Sequence, residues 1–109
     1  MYLFKKIGDP IEFLNHHNEI FLPMLKNLPK AGAIKASQVK ADSHGGEPVY
    51  FLITEVTFRN TNLLEKALVS EENKALSEDL SDFTGGSVTI MITEELEIDK
   101  EVLNKLTMF

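Results

Sequence analysis

Two residues are the main candidates for chemistry, a histidine in the first predicted helix and a glutamate in the strongest predicted strand. His17 falls on the apolar face of its helix, where an imidazole could act as an acid, a base or a haem ligand. The alternative is a neutral structural histidine, hydrogen-bonded to a neighbouring carboxylate or carbonyl. Glu55 alternates with apolar residues, and a buried carboxylate must find a donor or take up a proton. It is therefore either a proton-transfer group in a cavity or one partner of a structural hydrogen bond.

The other histidines, and one further carboxylate, favour ordinary structural or surface roles. His16 lies at the edge of the apolar stripe and is predicted to be solvated, and His44 lies in a glycine-rich loop. Adjacent histidines on a helix point about 100° apart, so His16 and His17 cannot easily share a metal ion, and no metal is expected. Asp79, on the flank of a later helix, is a candidate to cap or to pair with a cation, and Arg59 is the nearest such cation. Surface exposure of either residue is an equal alternative.

Composition narrows the classes of function. The 109 residues allow one domain. A net charge of -6 with no basic cluster argues against a nucleic-acid partner. The absence of cysteine excludes disulfides and thiolate sites, and the sequence contains no P-loop, G-x-S-x-G or G-x-G-x-x-G motif. No apolar run approaches the roughly 18 residues of a membrane span. We therefore expect a cytoplasmic protein with no membrane partner.

The elements that must position these residues alternate between strands and helices. Asp9 and Ser70 are predicted N-caps, Pro23 is predicted to kink the first helix, and Gly85 with Gly86 is predicted to end the second helical region. The predicted strands cover residues 2–7, 33–41, 49–58 and 88–93, and the helical regions cover 9–29 and 61–84. This βαββαβ order predicts an α+β, ferredoxin-like sandwich over residues 1–95 with both helices on one sheet face. Residues 96–109 form a predicted tail with a short docked helix opened by Asp99.

Both faces of the predicted sheet are apolar. In residues 49–58 neither alternating set of side chains is typical of a solvent face, and residues 88–93 show the same apolarity. A sheet with two apolar faces must be covered on both sides, and the helices cover only one. A second copy of the chain is the most economical cover, which predicts a homodimer and a dimeric α+β barrel. The alternative is that the tail folds back over its own sheet.

Three motifs in order carry a resemblance to a known family. The first combines Phe13, His17 and Phe21 with Pro23 and Met24, the second is the segment Tyr50-Phe51-Leu52-Ile53-Thr54-Glu55-Val56-Thr57-Phe58, and the third combines Ser70-Glu71-Glu72 with Asp79-Leu80-Ser81-Asp82-Phe83. Together they resemble the EthD family (ethyl tert-butyl ether degradation) of the dimeric α+β barrel superfamily, over residues 2–94. Two positions depart from the family pattern: Phe21 stands where a histidine is common, and His17 where an aromatic residue is common.

The resemblance implies a small protein that binds or transforms an apolar or aromatic molecule in a pocket between sheet and helices. Superfamily relatives include cofactor-free monooxygenases, haem enzymes and isomerases, so oxidoreductase-like, isomerase-like and proton-transfer chemistry are all open. A cofactor-independent oxidoreductase or monooxygenase-like enzyme is one expectation, and a non-catalytic homodimeric ligand-binding or carrier module is the alternative. No cofactor is predicted, although the residues leave haem open. The expected ligand-binding residues are Phe13, His17, Phe21, Tyr50, Phe58 and Phe83.

The first testable prediction concerns the homodimer, whose interface is expected to bury Phe51, Ile53, Thr57 and Met91 from both chains. An Ile53→Lys substitution should place two desolvated like charges near the two-fold axis and dissociate the dimer. Light scattering at matched concentrations measures this. A well-folded Ile53→Lys dimer would remove this face from the interface.

Overall fold

The computed structural model describes residues 1–94, which form a four-stranded sheet with helices packed on one face. The strands are β1 (Tyr2–Phe4), β2 (Ile34–Gln38), β3 (Leu52–Val56) and β4 (Val88–Ile90). The helices are α1 (Pro10–His16), α2 (Leu22–Lys26), α3 (Thr61–Leu68) and α4 (Glu71–Thr84), and a π-helical turn (His17–Phe21) joins α1 to α2. The predicted α+β class is confirmed. The predicted tail and its helix lie outside the described residues.

The sheet is antiparallel throughout, in the order β2-β3-β1-β4. Phe4 pairs with Leu52 on one side and Val88 on the other, and Leu3 pairs with Ile53 and Thr89. Side chains alternate between the faces of a strand, so these two rows lie on opposite faces. The face containing Phe4 carries the buried core, whereas Leu3 and Ile53 are half-buried.

The alternation predicted for residues 49–58 breaks just before β3. Phe51 packs against Phe13 of α1, with ring centroids 5.1 Å apart, on the same side as its neighbour Leu52. The hydroxyl of Tyr50 instead lies 3.2 Å from Oγ1 of Thr89, which is on the opposite face. The prediction that Phe51 lies beside Ile53 in the expected interface is therefore wrong. Regular extended backbone begins only at Leu52, so strict alternation does not extend to the two residues before it.

Helix boundaries follow local capping chemistry. The Asp9 carboxylate accepts the Ile11 N–H, and the Ser70 hydroxyl accepts the Asn73 N–H, as predicted. The Asn60 side chain accepts the Leu63 N–H and caps the start of α3. Gly85 ends α4 with a φ of 61°, in the left-handed region that glycine adopts without strain.

The disturbance predicted at Pro23 takes the form of a wide helical turn just before it. The Leu22 N–H donates to the carbonyl of His17, five residues earlier, which is the π-helical pattern. Pro23 has no N–H and would crowd the carbonyl of Glu19 in a regular α-helix, so the hydrogen-bond ladder widens ahead of it. His17 and Phe21, at the two ends of the turn, are both fully buried against the sheet.

The second prediction tests the one-sided core with two aliphatic residues on helices. Leu76 in α4 is 0% exposed, whereas Ile11 in α1 is 69% exposed. Leu76→Ala should lower the free energy of unfolding by about 2–5 kcal/mol, because it leaves a cavity beneath α4. The matched Ile11→Ala change should alter it by less than about 0.5 kcal/mol. Urea unfolding measures both, and equal effects would contradict the described core.

Candidate functional site

His17 is sealed inside the protein between the first helical region and the sheet. Its Nε2 lies 2.7 Å from Oγ1 of Thr54, and its Nδ1 lies 2.8 Å from Oδ1 of Asn18. An amide oxygen only accepts, so Nδ1 carries the proton, and Nε2 accepts the Thr54 hydroxyl proton. Both ring nitrogens are therefore occupied, as in the structural alternative considered for this residue, although the partners are a hydroxyl and an amide.

Burial also determines the charge of His17. Desolvation lowers the pKa of His17 below its ordinary value of 6.5 and exceeds the opposing effect of the Asn18 hydrogen bond. The neighbouring His16 lowers the pKa further through charge repulsion. The ring is consequently neutral at physiological pH.

His16 and Asp79 form a pair that the sequence did not predict. The His16 Nε2–H donates to both carboxylate oxygens of Asp79, at 2.9 and 3.1 Å. The His16 ring also stacks on Phe83, with centroids 4.4 Å apart and planes 28° apart. The prediction that His16 is solvated holds only in part, since its side chain is 29% exposed. The candidate pairing of Asp79 with Arg59 is wrong, because α4 brings Asp79 within hydrogen-bond distance of His16 instead. The sequence did contain a signal for this pair. Phe13 and His16 are three residues apart and Asp79 and Phe83 are four apart, and each spacing places the two residues on one face of a helix.

A surface depression of about 250 Å³ lies beside this pair. We call it the His16 depression, and its lining residues are Ile7, Gly8, Asp9, Glu12, Phe13, His16 and Phe83. Its walls combine aromatic and aliphatic side chains with a few polar groups, and its volume is slightly below the roughly 300–1,000 Å³ of most small-molecule sites. A larger depression of about 480 Å³ lies at the junction of α3 and α4, but neither a histidine nor an aromatic ring lines it.

The structure brings only part of the predicted aromatic set together. Phe13, Phe21 and Phe83 surround Phe4, with ring centroids 5.5, 5.7 and 6.0 Å from it. Phe13 and Phe83 also line the His16 depression, whereas Phe21 is fully buried. Of the remaining members, His17 joins this cluster, Phe58 is half-buried against the core, and the Tyr50 hydroxyl lies at Thr89.

Glu55 lies apart from the histidines. It is half-buried in β3, directly opposite Lys35 of β2, on the sheet face away from the helices. Its charge raises the pKa of the Met1 ammonium, but burial of that ammonium has the larger, opposite effect. Glu55 therefore lies on the face that the sequence predicts a partner chain to cover.

Residues 1–94 contain neither a cluster of potential metal ligands nor a helix that could cross a membrane. No group of three or more potential metal-ligating side chains occurs in this range. Within the same range, the helices are too short or too polar to span a bilayer.

The third prediction tests the buried His17 through the pH dependence of stability. The folded pKa lies below the unfolded one, so the unfolded chain binds more protons, and stability falls as the pH drops below about 6.5. His17→Gln should lower the free energy of unfolding by about 1–3 kcal/mol at neutral pH and should flatten its decline in acid. His44→Gln, at an exposed loop position, should keep the wild-type decline. Urea unfolding between about pH 8 and pH 5 makes the comparison, and an unchanged slope in His17→Gln would contradict it.

Comparison with known proteins identifies relatives of the whole fold. No family model matches the chain. An uncharacterized 11.0 kDa protein in the thcB-thcC intergenic region of Rhodococcus erythropolis is 26% identical over 89 residues, which are 81% of this chain and 84% of that protein. The crystal structure of an EthD family protein from Bacillus halodurans C-125 matches with a TM-score of 0.81 at 25% identity, over 87% of this chain and 94% of that one. The resemblance of this chain to the EthD family is therefore confirmed by the match to the structure of a family member.

Proposed function

We propose that this EthD-like protein is a homodimer that binds an apolar or aromatic small molecule in the His16 depression. One observation carries the proposal. Two aromatic rings and a histidine that is hydrogen-bonded to a carboxylate line the same depression. The half-buried Phe83 and the small exposed part of Phe13, 6% of that residue, supply apolar surface, and His16 supplies a polar group beside them. This arrangement favours a ring-containing ligand with one polar substituent.

The position of the depression differs from the pocket expected between sheet and helices. At the centre of that space, Phe4, Phe21 and His17 have no exposed surface. A ligand reaching them would have to displace packed aromatic rings, and close-packed interiors resist such changes. The His16 depression is open from outside and still uses two members of the expected ligand set, Phe13 and Phe83.

The proposed dimer rests on the uncovered face of the sheet. Leu3 and Ile53 face each other there across β1 and β3, and Met91 continues the sheet beyond β4 through two hydrogen bonds with Met1, each 2.8 Å long. The buried core of residues 1–94 lies on the other face, and Met91 is 50% exposed. A second copy placed face to face would cover these apolar side chains and complete the ferredoxin-like dimeric barrel.

The proposed chemistry is proton transfer without a bound cofactor. A histidine with a carboxylate on one ring nitrogen is a common acid-base arrangement, whereas oxidoreductase-like chemistry has only the family resemblance in its favour. A non-catalytic binding module is the second candidate. It is favoured by Phe21, which occupies a position where the family commonly has a histidine, and by the sealed environment of His17.

The fourth prediction locates the ligand with a neutral probe, 2-methoxynaphthalene, whose fluorescence reports binding. Phe83→Leu should weaken binding about three- to tenfold, because it removes a ring from the wall and leaves an aliphatic group of similar size. Phe58→Leu is the matched control, since Phe58 is also half-buried against the core but does not line the depression. It should leave affinity unchanged.

The reverse result would place the ligand elsewhere. Weaker binding in Phe58→Leu and in His17→Phe, with wild-type affinity in Phe83→Leu, would assign it to the space between sheet and helices. No binding by the wild-type protein would refute the proposed function.

A further inference from the structure

We infer that His16 and Asp79 form a proton-transfer dyad, which removes a proton beside the carbonyl group of an uncharged aromatic compound bound in the His16 depression. This inference deepens the proposed function and rests on it, because the compound must first bind there. It is carried by the geometry of the His16 ring and by the charges around the depression.

The ring geometry determines which nitrogen can react. A carboxylate only accepts hydrogen bonds, so contact with both oxygens of Asp79 places the proton of the neutral imidazole on Nε2. The lone pair is then on Nδ1, which makes no hydrogen bond within residues 1–94. His17 offers the contrast, since both of its nitrogens are already bonded. His16 is therefore the histidine with a basic nitrogen left for a ligand.

The surroundings hold this nitrogen in place. The Phe83 ring stacks against one face of the imidazole, and the two oxygens of Asp79 fix its rotation. Side-chain exposure is 29% for His16 and 18% for Asp79, so the pair is partly shielded while the ring still borders the depression. A base whose orientation is set before the ligand arrives loses little freedom during reaction.

The charges of the depression select the class of substrate. Besides His16, the ionisable side chains lining it are Asp9 and Glu12, and neither lysine nor arginine contributes. Asp9 accepts the Ile11 N–H at 2.9 Å through Oδ1 as the cap of α1, which holds this carboxylate in place beside the depression. Two carboxylates repel an anionic compound. An uncharged ketone with an aromatic ring is favoured, the ring lying against Phe13 and Phe83.

The proposed step balances without an oxidant. His16 Nδ1 takes a proton from the carbon beside the carbonyl, the C–H electron pair forms a C=C bond, and the carbonyl oxygen takes a negative charge. The positive charge that forms on the adjacent His16 balances it, so the net charge in the depression does not change. Asp79 stabilises the imidazolium through the Nε2–H bond. Return of the proton to the oxygen gives the enol, and its return to a different carbon of a conjugated compound gives an isomer. Asp79 acts only through His16, so it is a positioning residue.

The experiment follows deuterium uptake at the benzylic position of 2-tetralone in D₂O by proton NMR, with free imidazole as the blank. The wild-type protein should exceed the blank, and His16→Gln should lower the maximal rate about 100-fold or more. Asp79→Asn should lower it about tenfold with an unchanged KM for 2-tetralone, because it removes the orientation of the base rather than the binding surface. His44→Gln, which changes an exposed histidine outside the depression, should retain the wild-type rate.

A binding arm separates failure of this inference from failure of the proposed function. If 2-methoxynaphthalene binds but the wild-type protein exchanges 2-tetralone no faster than imidazole, or if His16→Gln retains the wild-type rate, the dyad is overturned and the binding proposal stands. Absence of 2-methoxynaphthalene binding overturns both.

The anion 2-naphthoate tests the charge argument. It should bind several-fold more weakly than 2-methoxynaphthalene, and Glu12→Gln should reduce this difference in affinity. Equal affinities in the wild-type protein would overturn the assignment to uncharged substrates.

Discussion

The hydrogen bond between His17 and Thr54 joins the first helical region to the middle of the sheet, and the rest of the site depends on that attachment. Thr54 and His17 are both fully buried, so neither polar group could be left without the other. The bond therefore determines both the distance and the rotation of the helix over β3. His17 is directed at the sheet, and the side chain of the preceding residue, His16, points about 100° away around the helix axis. In that direction it contacts Asp79 of α4.

The His17–Thr54 hydrogen bond thus gives the two adjacent histidines different surroundings. His17 is desolvated and bonded at both nitrogens, so it contributes to the fold and has no free nitrogen for a ligand. His16 has a carboxylate at one nitrogen, an aromatic ring against its face and a depression beside it. The residue type alone does not distinguish them. The distinction comes from which element each ring meets, and that is set by helix packing.

Features governed by near neighbours in the chain were predictable from the sequence. Asp9, Ser70 and Gly85 act within a few residues of their own positions, and each caps its helix as expected. The pairing of His16 with Asp79 spans 63 positions and depends on the rotation of two helices, which periodicity indicates only coarsely. The break in alternation at Phe51 also escaped prediction, because a run that is apolar on both faces carries no signal of its register.

Phe21 stands where the resemblance to the EthD family implies a histidine, and the packing around it favours the phenylalanine. Phe21 makes edge-to-face contacts with Tyr2 and Phe4, at centroid distances of 5.3 and 5.7 Å, and has no exposed surface. The histidine common in the family at this position would here lie among aromatic rings beside His17, whose ring centroid is 5.4 Å away. Charging it would cost desolvation and repulsion together. A phenylalanine avoids both costs and packs within the core, whereas His16 stays partly exposed and is hydrogen-bonded to the Asp79 carboxylate.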